Sequence, residues 1–339
     1  QMVLDSVRWT PPAAGFYATD AYADFAVDVL REHEIQRDDE PFFLYLAFTA
    51  PHWPLHAPEE TTKLYEGKYA TGWDSLRHAR HARQKELGLT DTRYVLPPLE
   101  ADVPEWVSAD PAMEWERRME VYAAMVHRMD EGIGRVLEQL EKSGELENTL
   151  LVFLSDNGGC AEEINGRNLH RDTSTIGLPG SYVAYQKPWS QLSNVPFRKY
   201  KQWTDEGGIA TPLIVHWPEG PQANENWIDA YGHVIDLYPT ALTAAGIAIG
   251  RDELSGSDLF TTLSEDSAQQ SRPLFWEHYG RSAVRRGRYK LVRHGPEEAW
   301  MLFDLADDPT EMRDIATERP DTVRALSDLY ADWAGEVGV

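Results

Sequence analysis

The chain has 339 residues, with 32 Lys+Arg against 56 Asp+Glu and a formal net charge of −24. Hydrophobic residues make up 42% of it and aromatics 11%, ample for a large core and for one big domain or a big one plus a small one. Such acidity excludes a general nucleic-acid binder, because phosphate polyanions are repelled; an anionic substrate would need a metal or a local cationic pocket. The lone cysteine, Cys160, excludes an internal disulfide framework and a CxxC zinc site. The longest apolar run, around Phe42–Ala50, is far short of a membrane span. Gln1–Arg8 carries no charged n-region followed by an apolar h-region, and the chain reads as a mature or truncated product.

In chain order, Asp20–Glu34 spaces Ala21, Phe25, Val29 and Leu30 as a helix face, with Asp20 as the expected N-cap. Phe42–Phe48 has the length and flanks of a buried strand and runs into a Pro-punctuated loop carrying His52, Trp53 and His56. Asp74–Glu86 reads as a basic helix and Leu96–Pro111 as a loop. Met113–Lys142 is the longest helical pattern, and Gly144 suits its end. A second buried strand, Thr149–Leu154, ends at Ser155-Asp156-Asn157-Gly158-Gly159. The long irregular stretch Ala161–Glu206 is expected to be functional. An apolar strand, Pro212–Trp217, and a helix, Asp236–Ala245, follow. Beyond about Gly250 the pattern changes: Leu274–His278, Ala283–Val292 and Met301–Leu305 read as short strands and Asp321–Trp333 as an amphipathic helix. The first part thus alternates strands and helices, as in an α/β sheet covered on both faces, and the tail reads as a small α+β subdomain.

In open α/β sheets ligands bind beyond the carboxyl ends of the strands. If the strands are parallel, His52 and Asp156/Asn157 share one edge. Asp156 and Asn157 offer the hard oxygens that Ca²⁺ or Mg²⁺ requires, although Asn-Gly is equally a turn dipeptide. For His52 alone, a packed or capping histidine is the stronger reading. Phe197–Gly208 sets Arg198, Lys199 and Lys201 ahead of a glycine pair, where a lysine could hold an anionic oxygen. His78 and His81 read as a solvated basic helix face, His127 as surface or packing, and Cys160 as a buried, inert thiol.

Three segments in this order, PFFLYLAFTAPHWPLHAP (Pro41–Pro58), TLLVFLSDNGG (Thr149–Gly159) and FRKYKQWTDEGGIATPLIVHWP (Phe197–Pro218), resemble the later signature blocks of the formylglycine-dependent sulfatases, closest to the bacterial arylsulfatases. Gly232–Gly246, Leu274–Val292 and Leu302–Ala316 are similar to that family's C-terminal portion. The resemblance implies an α/β fold: a partial alkaline-phosphatase-like mixed sheet flanked by helices over 1–250, then an α+β subdomain with an antiparallel sheet over 251–339. It implies a sulfuric ester hydrolase acting on a small-molecule or glycan sulfate ester, with no nucleic-acid partner and no membrane span. Asp156 and Asn157 match ligands of the family's calcium, with Mg²⁺ as the alternative ion. His52 matches a histidine that hydrogen-bonds the sulfate or leaving oxygen, and Lys201, unlike Lys199, has the offset of the sulfate-contacting lysine.

The family's nucleophile motif, C-x-P-x-R or S-x-P-x-R, whose Cys or Ser becomes formylglycine, is absent. The nearest lookalike, Asn194-Val195-Pro196-Phe197-Arg198, has Asn at the nucleophile position. The expectation is a chain lacking the N-terminal, formylglycine-bearing part and inactive by itself, with the full-length form periplasmic or secreted. A phosphodiesterase or phosphonate monoester hydrolase of the same superfamily and a non-catalytic binding subunit are the alternatives. Tyr182, Tyr185 and Trp189 are expected to line the substrate mouth, with His278 reaching it from the tail.

Overall fold

The computed structural model describes residues 2–37, 40–110, 114–164, 175–220, 228, 230–248, 254–260 and 272–339. In chain order its elements are β1 (Met2–Leu4), β2 (Val7–Trp9), α1 (Ala18–Arg37), α2 (Glu59–Thr62), α3 (Gly72–Glu86), α4 (Trp115–Ser143) and β3 (Leu151–Leu154). They continue as α5 (Gln186–Ser193), α6 (Glu206–Ile209), β4 (Leu213–His216), α7 (Leu237–Ala244), β5 (Leu274–His278), β6 (Arg281–Arg286), β7 (Tyr289–Arg293), β8 (Met301–Asp304) and α8 (Pro320–Val337). The chain falls into two compact units. Gln1–Ala70, Asp110–Glu147 and Glu163–Tyr185 make the first; Thr71–Ala109, Asn148–Glu162 and Gln186–Val339 make the second. The proposed division between 250 and 251 lies outside the described residues.

In the first unit α1 packs on α4. The small side chains of the pair allow close approach: a Cβ at Gly132 would lie 3.0 Å from that of Ala23. Arg128 ties the helices at one end through Asp20, and Gln139 bonds Glu34 at 3.0 Å toward the other. Asp20 therefore sits inside the first turn as an ion-pair partner, not as the N-cap. The buried face of α1 is Ala23, Ala26 and Leu30, while Phe25 and Val29 are exposed, a rotation that long apolar side chains in the spacing concealed. Helix α4 runs as expected and stops at Gly144, whose φ of 77° is the left-handed conformation glycine takes at a helix end.

Phe42–Phe48 does not form the expected strand. No strand pairs with it among the described residues, and Phe43 and Tyr45 are each 82% exposed. The run has strand-forming side chains, but a strand exists only where a neighbour supplies partners for its N–H and C=O groups.

In the second unit β3 and β4 form an antiparallel ribbon, with Leu151 opposite His216 and Leu154 opposite Leu213. The apolar strand expected at Pro212–Trp217 forms as β4, with all four of its residues exposed. Helices α3 and α5 are joined by a tryptophan cluster in which Trp73 stands edge-on to Trp106 and Trp189, at 4.8 and 5.3 Å. Strands β5–β8 form one antiparallel sheet in sequence order. The segment expected as one strand, Ala283–Val292, is two, because Gly287 at φ 60° turns the chain back on itself. Helix α8 lays Leu326 and Tyr330 over Val284, Leu291 and Leu302, and Trp333 stacks on Phe275 at 4.9 Å. The mixed α/β architecture and the antiparallel tail with its closing helix are as the sequence implied.

Candidate functional site

The site grows from the end of β3. Ser155-Asp156-Asn157-Gly158-Gly159 leaves the ribbon as a turn in which Asp156 is exposed and Asn157 half-buried. Two backbone bonds dock this turn on the segment 198–208: Gly158 N donates to Gly208 O at 3.0 Å, and Lys201 N donates to Gly159 O at 3.0 Å. The approach demands glycine, since a Cβ at Gly158 would meet Gly207 O at 1.8 Å. Asn194 sits between them, accepting from Gly159 N at 2.8 Å and donating to Lys199 O at 3.1 Å. The asparagine of the nucleophile-like stretch is thus a backbone clamp.

Lys201 is presented by a loop with two non-glycine residues in the left-handed region, Lys199 at φ 65° and Gln202 at φ 82°. Such conformations persist only when their surroundings enforce them, and they concentrate at functional sites. Lys199 Nζ pairs with Glu100 at 2.6 Å and lies 4.3 Å from the Trp203 ring centroid, so its charge is engaged within the loop's own surroundings.

Below the loop lies a buried charge cluster that the sequence reading missed. Lys290, fully buried on β7, contacts Glu206 at 2.6 Å and Glu311 at 2.9 Å. Glu311 also accepts from Glu206 N at 2.8 Å, and its carbonyl accepts from Arg198 at 2.9 Å. Asp205 is held between Arg198 at 3.1 Å and His294 at 2.7 Å. Burial pushes the Asp205 carboxyl up, but the His294 bond and the Arg198 charge outweigh it and hold Asp205 below the usual carboxylate range. Burial lowers Lys290, and its two carboxylates more than restore its charge. Burial pushes Glu311 up to about 7 against the pull of Lys290, with the charges of Asp205 and Glu206 adding to it. A lysine inside the apolar strand Tyr289–Arg293 was the signal available: a buried ammonium requires carboxylate partners.

His52 lies in the first unit, whereas Asp156, Asn157 and Lys201 lie in the second. The parallel strands on which a shared edge depended are not seen: among the described residues no strand pairs with Phe42–Phe48, and β3 runs antiparallel to β4. His52 is exposed, with Nδ1 2.7 Å from Trp53 O. Its loop is anchored locally by Leu55 N to Val183 O at 3.0 Å, Ala57 N to Gly177 O at 3.1 Å, and His56 Nε2 to Ser181 O at 2.7 Å.

Of the rings expected at the mouth, Tyr182 is half-buried and meets Trp53 edge-on at 5.6 Å. The other two are interior. Tyr185 stacks on Tyr122 at 4.6 Å, and Trp189 is fully buried in the tryptophan cluster. Aromatic side chains in a long loop carry enough apolar area to pack inward, and these two do. His278 is exposed at the end of β5, its ring 4.4 Å from Tyr279. His127 bonds Tyr65 at 3.0 Å, a packing role as expected, while His81, expected on a solvated surface, is half-buried and bonds Tyr94 O at 2.8 Å. Cys160 is buried.

One carboxylate and one carboxamide fit a hard cation in kind. They are two donors, and no group of three His, Cys, Asp or Glu poised for a metal occurs among the described residues. The turn is therefore a partial ligand set.

Comparison with known proteins assigns the chain to a family. The family model described as Sulfatase matches residues 4–247, and that described as N-sulphoglucosamine sulphohydrolase, C-terminal, matches 198–329. The chain belongs to the sulfatase family. It is 31% identical to an uncharacterized sulfatase of Schizosaccharomyces pombe, over 96% of this chain and 62% of that protein. It is 35% identical to an arylsulfatase of Klebsiella aerogenes, over 68% of this chain and 51% of the relative. A crystal structure of Ps i-CgsB in complex with k-i-k-neocarrahexaose shares the fold, with TM-score 0.63, 23% identity and coverage of 94% of this chain and 55% of that one. The chain thus spans about half to three-fifths of the length of these relatives.

Proposed function

We propose that this chain is part of a sulfuric ester hydrolase of the arylsulfatase type, and that it supplies the anion-holding side of the site rather than the attacking group. The observation that carries the reading is the docking of the Asp156-Asn157 turn on the Lys201 loop by Lys201 N to Gly159 O and Gly158 N to Gly208 O. Oxygen ligands for a cation and a cationic donor are thereby fixed on one backbone scaffold. In sulfate ester cleavage charge spreads over the sulfuryl and leaving oxygens, so donors preset at those oxygens stabilise the transition state. Bound at Asp156 and Asn157, Ca²⁺ or Mg²⁺ would withdraw charge from a sulfate oxygen. Lys201 would hold another oxygen and oppose the −24 background of the protein. His52 is proposed to hydrogen-bond the sulfate or leaving oxygen, Tyr182 to contact the ring that carries the ester, and His278 to contribute from the tail.

No residue of the 339 fits the formylglycine position, and the proposal includes no turnover by the chain alone. It also includes a periplasmic or secreted location for the full-length form. No described helix is long and apolar enough to cross a membrane. The test is 4-nitrophenyl sulfate with calcium. The chain is expected to bind the ester, release no nitrophenolate, and bind a phosphonate monoester more weakly. Nitrophenolate release would overturn the division of labour, and a preference for the phosphonate would move the reading to the phosphonate monoester hydrolases.

A further inference from the structure

Trp203, two residues beyond Lys201, is held between two cations: Lys199 Nζ lies 4.3 Å and Arg281 Cζ 4.2 Å from its ring centroid, with the His294 ring 4.8 Å away. The two cations differ in their remaining partners. Lys199 is neutralised by Glu100 at 2.6 Å. Arg281 has no carboxylate partner among the described residues; Nη1 makes a long bond of 3.4 Å to Gln202 O, and Nε is buried without a partner. Arg281 opens β6 directly opposite His278 on β5, so both side chains leave the same face of the sheet. A guanidinium fixed by an aromatic face, partly desolvated and with donors to spare, is an oxyanion receptor. Its planar fork matches carboxylate and sulfate oxygens, and it keeps its charge at any ordinary pH. In a chain of net charge −24, an arginine with no carboxylate partner among the described residues keeps its guanidinium donors available to an anion.

We infer that Arg281, braced on Trp203 and bonded to the residue after Lys201, binds a second anionic group, sulfate or carboxylate, on the ring that carries the ester held at Lys201. Arg281 is then a specificity residue selecting doubly anionic rings over singly anionic ones. The inference rests on the proposed role of Lys201, and the experiment separates the two.

The probes are 4-hydroxyphenyl sulfate and hydroquinone bis-sulfate, which share a ring and differ by one sulfate, titrated calorimetrically into the 339-residue chain with calcium. The chain is expected to prefer the bis-sulfate. Arg281→Gln should lower the ratio of the two affinities by about tenfold, the size of one charge-assisted contact. Arg281→Lys should restore only part of the ratio, because it keeps the charge and loses the fork. An unchanged ratio in Arg281→Gln, full recovery in Arg281→Lys, or a wild-type chain that binds neither probe or prefers the monosulfate would overturn the inference. Lys201→Met should weaken both probes by a common factor and leave the ratio intact. If it weakens neither while Arg281→Gln still collapses the ratio, the Lys201 reading fails and the Arg281 site stands without it.

Discussion

The β5–β8 sheet and the β3–β4 ribbon are both antiparallel and both in the second unit, yet they live in opposite environments. Val284, Leu291 and Leu302 of the sheet are fully buried under α8, and Ala283, Val292 and Phe303 are buried on the other face. In the ribbon Phe153, Leu213, Ile214 and Val215 are 40%, 41%, 60% and 38% exposed. Strand composition does not decide burial; a covering element does. The sheet is a foundation, anchoring the Lys201 loop through Lys290, Glu206 and Glu311. The ribbon is a support whose end, the Asp156-Asn157 turn proposed to hold the cation, is held by the loop docked against it.

The contrast breaks first at the foundation. Lys290→Ala would leave Glu206 and Glu311 facing each other without their cation, and breaking a buried pair in this way costs about 3–5 kcal/mol. Urea unfolding followed by tryptophan fluorescence should show a loss of that size. A loss below about 1 kcal/mol, the range of exposed ion pairs, would mean that the cluster does not hold the loop. Next, Leu302→Ala in the sheet should cost about 2–5 kcal/mol, whereas Ile214→Ala in the ribbon should change stability by no more than about 0.5 kcal/mol. Equal losses would erase the distinction between the regions.

A smaller effect is electrostatic. The folded state holds the Glu311 proton up to about 7, above the ordinary 4.5. The native state therefore binds more protons than the unfolded chain between those values, so this group's contribution to stability falls as pH rises from about 4.5 to about 7. Glu311→Gln should flatten that part of the profile, measured as urea midpoints at the two ends of the window. An identical slope in the variant would assign the pH dependence to other groups. Smallest of all in stability, Ile214→Lys should leave the midpoint nearly unchanged while reducing light scattering on concentration, because a charge blunts an exposed apolar strand. Unchanged scattering would place the sticky surface elsewhere.

Much of this was legible in the sequence, and the failures have a common physical origin. Local signals survived: α4 and its Gly144 stop, β3 running into Asp156-Asn157, and the closing helix over an antiparallel tail all depend on periodicity and turn chemistry. Signals that need a partner did not. Phe42–Phe48 reads as a strand because pairing cannot be inspected one segment at a time. Asp20 looks like a cap until Arg128 is seen beside it. Tyr185 and Trp189 look like site rings until Tyr122 and Trp73 cover them. The docked turn was half visible: its metal-type oxygens and the Lys201 offset could be read, while Asn194 as the clamp and Arg281 on Trp203 appear only when distant segments meet.

The central claim is that the Asp156-Asn157 turn and Lys201 act as one anion-binding surface with a cation in it. The most direct test is the affinity of the 339-residue chain for 4-nitrophenyl sulfate, measured calorimetrically with and without calcium, in the wild-type chain and in Asp156→Ala. Linkage requires that a cation and an anion sharing a site strengthen each other's binding by the same factor. The account predicts tighter ester binding with calcium in the wild-type chain and loss of that enhancement in Asp156→Ala. Ester affinity indifferent to calcium, or an enhancement that survives Asp156→Ala, would contradict it.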